Sequence, residues 1–194
     1  GPALEGASVD CGMRAERGAV ERVYAENGAI LYRTIDDAPA KGLCGSGIID
    51  LVGVLLREGL IGRSGRFHPE ASPRIVEVDG VRRFVLADQR EAAERAVYIT
   101  ESDIENIVTA KAAIFAAMKI LVRRLEIDFG DIQRFYIAGA FGRYLDVENA
   151  ISIGLIPEIP RERFQFVGNA SIQGAKIVAF YREAESARAA GEAL

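Results

Sequence analysis

Apolar and polar positions along this chain follow two periods, and the switches between them mark its elements. Val20, Val23 and Tyr24 precede Asn27-Gly28, with Ile30, Tyr32 and Thr34 after it, a pattern that predicts a hairpin. Ile75 to Val78 and Val81 to Leu86, joined by Asp79-Gly80, predict another. Between them, Ile48, Ile49, Leu51, Val52, Leu55, Leu56 and Leu60 recur at helical spacing, with Gly59 or Gly62 placed to end the helix. Val97-Tyr98-Ile99 predicts a short strand leading into a helix from about Glu101 to Leu125. Thr100, three residues before Asp103, forms a carboxylate variant of the capping box at its start. Ile104, Ile107, Val108, Ile114, Phe115, Met118, Leu121, Val122 and Leu125 make one stripe of that helix. Ala110, Ala113 and Ala117 make a second face, so the helix is expected to pack on two sides.

The last third of the chain repeats one arrangement. Phe135 to Ala138 predicts a strand buried on both faces, as in a parallel sheet, ending in Gly139-x-x-Gly142. Asp146 is placed as a helix N-cap with Asn149 in the first turn, ahead of Ile151 and Ile153; Gly154 and Pro157 close that helix. Phe164 to Val167, the turn from Gly168 to Ser171 and a helix through Tyr181 follow the same plan. Two strand–turn–helix units in succession imply a parallel pair, and hence an α/β fold.

Three places carry candidate chemistry. Glycines at the carboxyl end of a strand let a ligand approach backbone amides, which makes Gly139 to Gly142 a candidate binding turn. The turn Gly45-Ser46-Gly47 opens a helix, and its unpaired amides suit an anion; close packing of the helix start explains the same glycines. It lacks the Gly-Lys-Ser/Thr ending of a P-loop. Lys111 interrupts the apolar stripe of the long helix. It either snorkels to water or lines a cleft and meets a nucleotide.

Composition narrows the function classes. The 194 residues are 49% hydrophobic with a net charge of -4, enough apolar surface for one real core and no basic run. Nucleic-acid and membrane-surface binding are therefore not expected, nor is a membrane span or signal peptide. Cys11 and Cys44 are too few for a disulfide framework or zinc site and are expected to be reduced cytoplasmic thiols. One histidine, His68, lies in a Gly/Pro loop; neither a catalytic triad nor a multi-histidine metal site is expected. Asp128-Phe129-Gly130 imitates a kinase motif without its companions and reads as a turn.

Five blocks, GPALEGASVDCGM, KGLCGSGIIDLV, ITESDIENIVTAKAAI, FYIAGAFGRYLDVENAISIGLIP and FQFVGNASIQGAK, together resemble the C-terminal domain of the reductive activators of corrinoid proteins. That family belongs to the acetate and sugar kinase, heat-shock chaperone and actin superfamily. The resemblance implies a ribonuclease-H-like, actin-type ATPase lobe with a mixed sheet and helices on both faces. Residues 1–194 would be the second lobe of a longer protein, with a hairpin-containing insertion at about 62–100. It also implies ATP with Mg2+ as ligand and an electron passed to a Co(II) corrinoid, regenerating Co(I). A two-iron ferredoxin domain would lie upstream, and the partner would be a corrinoid protein or corrinoid-dependent methyltransferase. By the same resemblance Gly139, Ala140, Phe141 and Gly142 hold the adenosine, and Lys111, Glu105 and Asn106 are candidate contacts to ribose and adenine.

The chain departs from the superfamily pattern in two respects. Neither Asp-x-Gly-Thr phosphate hairpin is present: Asp10-Cys11-Gly12 and Asp79-Gly80 lack what should follow, and no catalytic carboxylate can be assigned. No four-cysteine cluster is present either, so the iron–sulfur centre belongs upstream. The chain alone is expected to be inactive as an ATPase and to form a homodimer. The reading from a different class is a non-catalytic docking or dimerisation module with an actin-like fold; a sugar or acyl-phosphate kinase is weaker, for want of an acceptor-binding carboxylate.

Overall fold

The computed structural model describes residue 4, residues 6–139 and residues 145–189, and the chain divides into two compact units. The larger comprises Gly1–Ile132 and Tyr144–Ile159; the smaller comprises Gln133–Arg143 and Pro160–Leu194.

In the larger unit β1 (Ala19–Glu26) and β2 (Ala29–Thr34) form the expected hairpin. Asn27 and Gly28 both take positive φ, 51° and 76°, which the two-residue turn requires. β1 also pairs in parallel with β3 (Gly42–Leu43), through Ala19 and Val20, giving the sheet order β2-β1-β3. The chain leaves β3 directly into α1 (Gly45–Arg57), which is buried from Gly45 to Leu55. Ile48, Ile49, Leu51 and Leu55 lie in the core with Val20, Val23 and Leu43. Glycine at 47 is explained by contact, since a methyl there would overlap the Val20 carbonyl.

A second sheet, β4-β5-β6, is built by the other hairpin, β4 (Ile75–Val78) and β5 (Val81–Ala87), with β6 (Val97–Thr100) antiparallel to β5. Residues 62–100 thus add a sheet to the larger unit, with Phe84, Leu86 and Ile99 fully buried. β6 runs straight into α2 (Glu101–Arg124) through the capping box. Asp103 N–H donates to Thr100 Oγ1 at 3.1 Å, and Thr100 N–H donates to Asp103 Oδ2 at 2.9 Å.

Packing of α2 differs from the expected two-sided burial. Ile104 and Ile107 are buried in its first half, whereas Ile120, Leu121 and Leu125 are 56%, 59% and 60% exposed in and just beyond its second. Periodicity identifies an apolar stripe but not how far along the helix something covers it.

The smaller unit holds β7 (Phe135–Ala138) and β8 (Phe164–Gly168), parallel as expected, with α4 (Ala170–Ala189) following β8. Phe135 and Phe164 pack at 5.3 Å between ring centroids. The expectation that β7 is buried on both faces does not hold: its residues alternate, and Tyr136 is 54% exposed. Four apolar residues record the tolerance of both faces for burial, and here one face lacks a covering layer among the described residues.

Candidate functional site

The larger unit contains a cavity of about 570 Å³, and each wall has a local cause. Its first wall is the end of α1, with Val52, Leu56 and Arg57. The helix stops there because Glu58 is its C-cap and Gly59 takes φ +70°, after which Leu60 N–H returns to Leu55 O at 2.8 Å.

The second wall is the loop that follows. Gly62 N–H donates to Arg66 O, Gly65 N–H to Gly62 O and His68 N–H to Leu60 O, all at 2.9 Å, which folds the loop back on itself with Arg63 near its tip. Gly65, at φ +80°, must be glycine: a Cβ would stand 2.7 Å from Ile104 Cγ2. Glu101 at the start of α2 clamps the loop, accepting from Arg66 Nη1 at 2.8 Å and Phe67 N–H at 3.0 Å. Burial works to raise the Glu101 carboxyl, but these two donors and the Arg66 charge prevail and hold it below its ordinary value.

α2 supplies the third wall through Ile104, Val108 and Lys111, successive positions on one face. The last wall is the end of α3 (Val147–Ser152) with Ile153 and Gly154. Asp146 caps α3 as expected, accepting from Asn149 N–H at 3.0 Å. The chain turns at Gly154, φ +71°, whose bare backbone lies close to Lys111: a Cβ there would come within 3.2 Å of the ammonium nitrogen.

From Arg57 on the cavity wall a polar chain runs inward to buried Asn149 and Asp50. Arg57 Nη1 donates to Asn149 Oδ1, Asn149 Nδ2 donates to Asp50 Oδ1 at 2.7 Å, and Val23 N–H donates to Asp50 Oδ2 at 3.2 Å. Asp50 is 1% exposed and Asn149 3%. Burial pushes the Asp50 carboxyl up to about 6, against the bonds from Asn149 and Val23, which favour its charged form. α1, α3 and β1 are thus tied together at one point.

The candidate residues distribute unevenly. Lys111 lines the cavity. Glu105 and Asn106 are exposed outside its lining, and Asn106 Nδ2 instead donates to Ser8 O at 3.2 Å. Gly45, Ser46 and Gly47 are buried at the other end of α1, where Cys44 N–H donates to Val20 O at 3.1 Å; tight packing accounts for Gly47. Gly139 has φ +97°, with open space where a Cβ would stand, and its N–H donates to Gly168 O at 2.6 Å. Ala140, Phe141 and Gly142 lie outside the described residues. Cys11 and Cys44 are free and buried, and burial pushes the Cys11 thiol up. Among the described residues no group of three or more His, Cys, Asp or Glu could hold a metal ion, and no helix is long and apolar enough to cross a membrane.

Arg57, Arg63, Asp50 and Asn149 escaped the sequence reading as site residues. A signal existed only for Asp50, an acid inside the apolar run Ile48 to Val52.

The family described as the C-terminal domain of RACo, the ASKHA domain, matches residues 1–190. This chain belongs to that family. The ASKHA domain is similar to a solved structure of a reductive activator for corrinoid, iron–sulfur protein, with a TM-score of 0.88 and 42% identity. The match covers 96% of this chain and 30% of that one. The fold is therefore the actin-like ASKHA fold, a class associated with nucleotide binding. Corrinoid activation enzyme RamQ of Eubacterium limosum is 38% identical over 192 residues, covering 94% of this chain and 32% of the relative. The [Co(II) methylated amine-specific corrinoid protein] reductase of Methanosarcina barkeri is 29% identical over 194 residues, covering 89% and 32%. This ASKHA domain spans about a third of the length of each of these proteins.

Proposed function

We propose that this ASKHA domain is the nucleotide-binding part of an ATP-dependent reductive activator, which returns the Co(II) corrinoid of a methyl-transfer protein to Co(I). The observation that carries the reading is the family match across residues 1–190, together with relatives named for corrinoid activation and Co(II) corrinoid reduction. In this reading ATP is bound with Mg2+, and an upstream iron–sulfur domain supplies the electron. The partner is a corrinoid protein or a corrinoid-dependent methyltransferase, met in the cytoplasm.

Within this chain, Lys111 is the residue best placed to meet nucleotide, because it lines a cavity within the size range of small-ligand sites. The turn at Gly139 supports the same reading through its positive φ and open approach. No catalytic carboxylate is assigned here, so hydrolysis depends on groups outside the chain. Exposed apolar residues such as Tyr136 and Phe166 on the β7–β8 pair support association, and we assign a homodimer as the working state.

Calorimetric titration of ATP into the full-length protein tests the site. Lys111→Met is expected to weaken ATP binding roughly 10-fold, the loss of one charge-assisted contact, while leaving the unliganded melting temperature unchanged or slightly higher. Unchanged affinity would remove Lys111 from the site. Absence of any ATP binding by the wild-type protein would favour the docking-module reading instead.

A further inference from the structure

We propose that the cavity wall formed by Arg57, Arg63 and Lys111 is an anion subsite that takes a phosphoryl group. The proposal rests on the nucleotide reading only for the larger molecule that carries the phosphoryl group. It also revises that reading: the resemblance turns Lys111 toward ribose and adenine, whereas the charge of the wall selects the phosphate end of the ligand.

Three elements bring these cations to one cavity: α1 ends in Arg57, the folded-back loop carries Arg63, and α2 carries Lys111. Among the described residues no carboxylate lines it, and none of the three cations is in a salt bridge. Glu58 and Glu105 are exposed and lie outside the lining, and three other acids of these elements are held elsewhere. Glu101 holds Arg66 and Phe67 N–H, Asp50 holds Asn149 and Val23 N–H, and Asp146 caps α3 and pairs with Arg22 at 3.8 Å. Three cations around a concave surface with no acid in its lining create a positive potential that favours an anion there.

Arg57 is also aimed. Its Nη1 donates to Asn149 Oδ1, and Asn149 is held by its own donation to buried Asp50. One guanidinium donor is spent on that anchor, and the remaining donors are left for a ligand. Asn149 is therefore a positioning residue for Arg57. A phosphoryl group suits the site because its several oxygens can meet the planar fork of an arginine and two further cations together.

The test titrates pyrophosphate, ATP and adenosine separately into the full-length wild-type protein and into Arg57→Gln and Arg63→Gln. Pyrophosphate carries the anion without the nucleoside. Arg63 is exposed and not part of the Asn149 anchor, so its variant should fold even if Arg57→Gln does not. The expected result is roughly a 10-fold loss of pyrophosphate and ATP affinity in each folded variant, with adenosine affinity unchanged. Pyrophosphate binding without ATP binding would leave the subsite standing and remove the nucleotide reading. Pyrophosphate affinity equal in wild type and variants, or no pyrophosphate binding by wild type, would overturn the subsite even if ATP still binds. Equal losses for adenosine and pyrophosphate would overturn it too, since the wall would then not be reading charge.

Discussion

Replacing Gly47 by alanine is expected to destabilise the domain by at least about 3 kcal/mol, the upper end for overpacking a core. A methyl at this position would overlap the Val20 carbonyl, which already accepts Cys44 N–H at 3.1 Å. Both sides of the clash are anchored backbone. Val20 pairs with Thr34 of β2 and Leu43 of β3, and α1 is buried over its first 11 residues, so neither can yield cheaply. Gly174→Ala is the control: it lies inside α4 with open space around it, and alanine there should be neutral or stabilising by up to about 1 kcal/mol. Urea unfolding of both variants in the full-length protein checks the contrast. A Gly47→Ala cost below about 1 kcal/mol would mean that the helix start can back away from β1, and the turn's glycines would need another explanation.

The second large effect depends on pH. With Asp50 at about 6 in the folded domain against 3.8 ordinarily, its displacement corresponds to about 3 kcal/mol, at about 1.4 kcal/mol per pH unit. The folded value is raised, so the contribution is fully present below the ordinary value and is lost as pH rises through about 6. At neutral pH the buried carboxylate is ionised at the expense of stability. Asp50→Asn cannot ionise. It also puts a donor where two donors already converge, from Val23 N–H and Asn149 Nδ2, and so carries a constant cost of its own. The expected signature is therefore a difference: relative to wild type, the variant gains between roughly 2 and 3 kcal/mol from pH 4 to pH 7. Urea unfolding at several pH values measures it. A wild-type-to-variant gap that stays constant across that range would contradict the buried-acid account.

What could be read from the sequence was chemistry that acts between near neighbours. Asn27-Gly28 and Asp79-Gly80 form their turns with φ > 0 at both residues. Thr100 meets Asp103 and Asp146 meets Asn149 within three positions, so both helix starts were legible. The polar anchor was not, because Asn149 reaches Asp50 across 99 positions and only folding brings them together. Arg57 and Arg63 look like ordinary surface charges in sequence; their meaning comes from sharing a cavity with Lys111. Coverage was equally hidden. The apolar stripe of α2 and the apolar run of β7 are both real, yet Leu121 and Tyr136 remain exposed, because a pattern states what a face tolerates rather than what lies against it. The interrupted stripe of α2 and the family resemblance both pointed to Lys111, which lines the cavity; the resemblance alone added Glu105 and Asn106, which sit outside its lining.

In the proposed function, nucleotide at this domain drives reduction of a corrinoid. Its most direct test mixes the full-length protein, with the proposed iron–sulfur centre reduced, and a Co(II) corrinoid protein, and follows loss of the Co(II) electron paramagnetic resonance signal. In the proposed reaction one electron leaves the iron–sulfur centre and converts Co(II) to Co(I). The account predicts rapid loss with ATP, little without it, and a rate lowered in Lys111→Met that recovers at higher ATP concentration. Signal loss at the same rate with and without ATP would contradict it.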